Sequence, residues 1–116
     1  MGSIILNVKD FSKTPGSRYR DEGTKAHSGE EFREDFLEPI FKKVLQTCDT
    51  ILINLDGTIG YGTSWLEEVF GGLARIYGKE KVLEKLNFQS FEEEYLIDDI
   101  IDYINNAEKI NFFLFK

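Results

Sequence analysis

The chain has 116 residues, 41% of them hydrophobic and 30% charged, with two prolines and ten glycines, which is the composition of one soluble globular domain. A net charge of −7 excludes broad binding to nucleic acid or anionic lipid, because phosphate contact needs a concentrated basic field. A single cysteine, Cys48, and a single histidine, His27, exclude a disulfide framework and a Cys/His metal cluster, so a cytoplasmic protein without metal or cofactor is expected.

The opening MGSIILNVKD lacks the basic start of a secretion signal, and no stretch approaches the ~20 apolar residues of a membrane span. Ile4 to Val8 is a short β-rich run and predicts the first strand. Residues 10–27 then lose all periodicity and carry Pro15-Gly16, Gly23, Arg18, Tyr19 and Arg20, so an ordered insertion loop or a hairpin is expected. Residues 1–27 hold five basic and three acidic side chains, a net +2, which leaves −9 for the remainder. Any anionic ligand would therefore be met by the N-terminal segment and any basic partner by the C-terminal half.

Ser28-Gly29-Glu30-Glu31 is a capping box, in which the serine hydroxyl accepts from the Glu31 amide while the Glu31 carboxylate reaches back to the Ser28 amide. The helix it opens has Phe32, Phe36, Ile40 and Val44 on one face, with a kink expected at Pro39. Thr50 to Asp56 is nearly continuous in apolar character and predicts the central strand. Gly57, Gly60 and Gly62 make a tight turn, and Ser64-Trp65-Leu66-Glu67 reads as a second capping box opening a helix to about Tyr77. Gly71-Gly72 in mid-helix costs about 1 kcal/mol per residue, which implies close packing against a sheet or a partner. A short helix running into a strand near 85–90 and an amphipathic helix from about Glu92 to Asn106 follow. The apolar tail Ile110 to Phe115 suits an edge strand, a docked tail or a homodimer contact.

This order describes an α/β domain in which ligands meet strand ends and helix starts, the place of residues 55–64. Ser64 has the position of an N-cap, worth about 1 kcal/mol. The glycine turn offers a phosphate cradle in which Arg18, Arg20, His27, Asp56, Gly60 and Gly62 would bind a small anionic or nucleotide ligand, although the Lys-Ser/Thr ending of a P-loop is missing. The structural alternative pairs the two arginines with Asp10, Asp21 or Glu34. Ser64, His27 and Asp56 contain the residue types of a hydrolase triad without its nucleophile elbow, so no catalytic residue is assigned. Glu92-Glu93-Glu94 with Asp98, Asp99 and Asp102 suits the solvated face of the last helix, or a DNA mimic or inhibitor surface.

LINLDGTIGYGTSWLEEVFGGLAR, together with DFSKTPGSRYR and SGEEFREDFLEPIF, resembles the bacterial STAS-like family, a domain of unknown function related to the anti-sigma-factor antagonists. The likeness spans roughly residues 4–106. It implies a small mixed sheet of about four strands with three or four helices packed mainly on one side, within the single domain over 1–116 that the length suggests, whose residues 107–116 read as a hydrophobic tail. It also implies a non-enzymatic regulatory module that binds a protein partner, a histidine-kinase-like ATPase. In the antagonists a serine at the start of the helix after the central strand is phosphorylated. Ser64, with Thr63 beside it, occupies the corresponding place, and Tyr61, Ser64, Trp65 and Glu68 are the expected partner contacts. Here the turn reads Gly62-Thr63-Ser64-Trp65, with a bulky indole where the antagonists carry a small residue.

Overall fold

Three uncharged runs form the sheet of the computed structural model, which describes residues 2–19 and 27–108. Strands β1 (Ser3–Asn7), β2 (Thr50–Asn54) and β3 (Leu86–Gln89) lie in the order β1-β2-β3 and pair in parallel throughout. The register sets Ile4, Ile51 and Leu86 side by side, and likewise Leu6, Ile53 and Phe88. Side chains alternate across a strand, so these six share one face and Ile5, Leu52 and Asn87 share the other. The first face enters the core, with Ile51 and Ile53 fully buried, whereas Ile5 is 60% exposed.

This corrects the expected mixed sheet of about four strands. The described residues contain three, all parallel, and each joins the next through helices, the crossover that parallel pairing needs. The tail considered as a further edge strand, Ile110 to Phe115, lies outside the described residues, as does the loop segment 20–26.

Five helices accompany the sheet among the described residues. Helix α1 (Val8–Phe11) is a single turn that buries Val8, and the chain from Ser12 to Tyr19 continues as irregular loop. Helix α2 spans residues 29–44 and opens on Ser28, whose side chain accepts from the Glu31 amide at 3.0 Å. Glu31 closes the box one residue earlier than expected, accepting from the His27 amide at 3.0 Å. The anticipated break at Pro39 takes the form of a π-helical stretch, Phe32–Leu37, just before it. The widened turn sits where proline withholds the α-helical hydrogen bond to residue 35.

Helix α3 covers residues 63–77 and also contains a π-helical stretch, Glu67–Gly71. Its N-cap is Gly62, without a side-chain cap, and Ser64 is its second residue. The second capping box is therefore not formed, because the serine hydroxyl is turned to the loop. Gly71 and Gly72 are buried, and a Cβ on Gly72 would stand 2.9 Å from the Arg33 Nε. The glycine gives room to a charged side chain of α2, a different neighbour from the sheet or partner expected.

Helix α4 (Lys79–Lys85) runs directly into β3, and α5 (Tyr95–Asn106) closes the described chain. Leu96, Ile100 and Ile104 of α5 are buried, while Asp98 and Asp102 are exposed. The triplet Glu92-Glu93-Glu94 precedes the helix and belongs to the loop after β3. Trp65, Phe32, Phe41 and Phe70 are the largest side chains of the single core cluster. Trp65 is fully enclosed, and its Nε1 donates to the His27 carbonyl at 3.2 Å. Trp65→Ala should lower stability by about 3–5 kcal/mol through cavity formation. Ile59→Ala, at an exposed side chain, should stay within about 0.5 kcal/mol, and urea unfolding of both variants checks the contrast.

Candidate functional site

In an open α/β sheet, the strands' carboxyl ends leave a rim of loops free of the core. Here that rim consists of residues 12–19 after α1, 55–62 after β2 and 90–94 after β3. Two sets of hydrogen bonds make it rigid. Asp56 accepts from the amides of Glu92 at 3.0 Å and Phe91 at 3.1 Å, and Glu92 accepts from the Gly57 amide at 2.7 Å. Desolvation pushes the Asp56 carboxyl up, but the two amides, Gln89 and the nearby Lys9 charge outweigh it and hold it below its ordinary value. Asp56 is thus an anionic tether for the loop after β3.

The second set ties residues 12–17 across the glycine turn. The Ile59 amide donates to the Lys13 carbonyl at 2.7 Å and the Gly62 amide to the Pro15 carbonyl at 2.7 Å. Ser64 Oγ donates to the Gly16 carbonyl at 3.1 Å. A Cβ on Gly62 would lie 2.8 Å from that same carbonyl oxygen, so glycine is what permits the close approach. Tyr61 donates to the Leu55 carbonyl at 2.8 Å, and burial, with the charges of Asp56, Glu93 and Glu92, holds its phenol protonated well above the usual range. The amides of Ile59 and Gly62 therefore already serve protein carbonyls, where the sequence suggested a phosphate cradle.

Beneath this strap runs a ladder of charges. Arg18 reaches Glu67 at 2.6 Å and Glu68 at 3.3 Å. Glu68 also binds Arg33 at 3.0 Å, Arg33 binds Glu38 at 2.5 Å, and the Tyr77 hydroxyl donates to Glu38 at 3.1 Å. Arg75 holds the second oxygen of Glu67 at 2.5 Å. Arg33 and Glu68 are only 8% and 6% exposed. The Arg75 hydrogen bond, opposed by burial and reinforced by Arg18, sets the Glu67 carboxyl below its ordinary range.

The suggested anion-binding set is thus distributed over three places. Arg18 sits in the charge ladder, Asp56 holds the loop after β3, and His27 carries its ring edge-on to Phe11 at a centroid distance of 5.1 Å. Gly60 and Gly62 lie in the strapped turn, and Arg20 lies outside the described residues. Of the expected partner contacts, Trp65 and Glu68 point inward, which leaves Tyr61 and Ser64, both half-buried, nearest the rim surface. Thr63 is exposed.

What sequence reasoning missed is apolar. Ile59 is 84% exposed and Phe91 78%, with Tyr95 also outside the core. The hydrogen bonds from Asp56 and Gly57 to residues 91–92 make the two rim loops neighbours. A signal was present: Ile59 and Phe91 each stand in a stretch with no apolar period to bury them. Among the described residues, no group of His, Cys, Asp and Glu has the geometry of a metal site, and no helix is long and apolar enough to cross a membrane.

A family model described as a STAS-like domain of unknown function (DUF4325) matches residues 28–96. The match begins at the Ser28 cap and ends in the first turn of α5, leaving β1 and the strap outside it. No curated protein and no solved structure matches the chain. Two outcomes follow from the charge ladder. Glu68→Ala, which leaves buried Arg33 with Glu38 and the more distant Glu34 at 3.9 Å, should cost about 3–5 kcal/mol in urea unfolding. The stability contributed by Glu67 is present above its unfolded value of 4.5 and lost as pH falls through its lower folded value, so Glu67→Gln should flatten the acid limb of a stability–pH curve.

Proposed function

Because the chain belongs to this family of STAS-like domains, we propose that it is a non-enzymatic protein-interaction module whose partner docks on the rim formed by residues 56–62 and 90–94. The observation that carries this reading is the exposure of Ile59 and Phe91 on hydrogen-bonded loops, since a large apolar side chain held rigidly in water is a ready interface anchor. Tyr61 and Ser64 border it, and Glu92, Glu93 and Glu94 surround it with negative charge. The partner class is the one the antagonist resemblance implies, a histidine-kinase-like ATPase.

The same geometry supports a switch at Ser64, with Thr63 as the exposed neighbour. A phosphate on Ser64 would remove the hydroxyl donor to the Gly16 carbonyl and bring negative charge one helical turn from Glu67 and Glu68. The helix start would tolerate the charge, while the strap of residues 12–18 would lose an anchor and feel a perturbed Arg18 site. The docking surface beside it would then change shape. A nucleotide-binding reading fits less well, because Arg18 is already engaged by two carboxylates.

The test is affinity purification of the tagged chain from its own cells, with phosphopeptide mapping of residues 57–75 and quantitation of any co-purifying ATPase. An Ile59→Asp/Phe91→Asp variant should lose at least about tenfold of the partner while its thermal midpoint stays near that of the parent. Undiminished partner recovery by that folded variant would remove the rim from consideration. Absence of phosphate on Ser64 and Thr63 in the presence of the ATPase and ATP would remove the switch.

A further inference from the structure

The far side of β1 has no strand beside it among the described residues. Past Asn7 the chain makes the single turn of α1, which sets Phe11 against Phe32 and Phe36 of α2 at 5.1 Å each, both edge-on. Between this aromatic cluster and the strand is a cavity of about 300 Å³ whose apolar walls include Ile5, Leu6, Phe11 and Phe36. That is the lower end of the range for small-molecule sites and suits a ligand with one ring. Phe36 and Ile5 are both solvent-exposed, so the cavity is open to entry.

Its polar groups are one-sided. Among the described residues Asp10 and Glu31 line it, with Asn7 and His27, and neither Lys nor Arg does. Among the described residues the Asp10 carboxylate has no hydrogen bond or ion pair, and Glu31 commits one oxygen to the His27 amide. His27, the third ionisable lining residue among those described, has φ 83°, with its amide donating to Glu31 and its carbonyl accepting from Trp65.

We propose that this cavity binds a small organic cation: an aromatic or similarly apolar body lying between the Phe11–Phe36 pair and the Ile5–Leu6 edge of β1, with an ammonium or amidinium group beside Asp10 and Glu31. Apolar walls remove the ring from water, phenylalanine rings attract a cation, and a carboxylate at an apolar mouth is screened less than one in bulk water. An anion of the same shape meets two like charges, and a neutral analogue leaves Asp10 unpaired. None of the lining residues belongs to the rim loops 56–62 and 90–94, so the site stands apart from the docking surface.

The experiment titrates the full chain at millimolar concentration with phenethylammonium and with 3-phenylpropanoate, its charge-reversed analogue, read by methyl and amide NMR shifts. Phenethylammonium should move the signals of Ile5, Leu6 and Phe36 and bind at least about tenfold more tightly than the carboxylate. Asp10→Asn, at an exposed position, should keep the fold and weaken the cation about fivefold, and Phe36→Ala should weaken it further. Equal binding of the two probes, shifts mapping elsewhere, an unchanged affinity in Asp10→Asn, or no shift at all would each overturn the proposal. Rim-directed Ile59→Asp should leave this titration unaltered, so failure here and failure of the docking surface are separate results.

Discussion

The ion pair between Arg33 and Glu68 is the contact on which the arrangement of this domain turns. It joins the two long helices through their π-helical stretches, Phe32–Leu37 and Glu67–Gly71, and both side chains are almost fully enclosed. Burying two charges costs several kcal/mol each before their attraction is counted, so such a pair persists only with further partners. Glu38 supplies one to Arg33 and Arg18 supplies one to Glu68. Gly72 is what gives the guanidinium room beside α3, and the Arg33 Nε, close to that glycine, has no hydrogen-bond partner among the described residues. An apolar pair of the same volume would stabilise the two helices equally well. What the charges add is orientation, since Arg33 reaches Glu38 and Glu68, and Glu68 reaches Arg18, together in this alignment of α2 on α3.

That alignment propagates to the rim. Arg18 links the ladder to the strap, and the strap fixes the glycine turn through the Lys13 and Pro15 carbonyls. Asp56 fixes the loop after β3 from the other side. Exposed Ile59 and Phe91 are consequently carried on backbone whose polar groups are largely spoken for, so the docking proposed for this rim would cost little conformational entropy. The Ser64 hydroxyl is placed where strap and helix meet. The phosphorylation proposed there would act on the connection between the ladder and the rim, away from Ile59 and Phe91.

Much of the architecture was legible from the chain alone because it depends on local rules. The apolar run at residues 50–56 became the central strand, Ser28 capped α2, and Leu96, Ile100 and Ile104 turned the predicted face of α5 inward. Each rests on periodicity or capping chemistry spanning a few residues. Ser64 shows where that reasoning ends. Its spacing to Glu67 is that of a capping box, yet Glu67 is held by Arg75 and Arg18, and the hydroxyl turns to a carbonyl 48 residues away.

Sequence by itself thus determined the α/β class, the positions of the strands and of every helix but the single turn α1, and the family, since hydrophobic period, caps and motif order are properties of contiguous residues. Only the tertiary structure decided that three strands are parallel, that Trp65 and Glu68 face inward and that Arg18 belongs to Glu67 and Glu68. It also decided that Ile59, Phe91 and the Asp10 cavity face water. Burial and ion pairing between residues dozens of positions apart depend on which elements become neighbours. That choice is made by the packing of the whole core, so no local pattern records it.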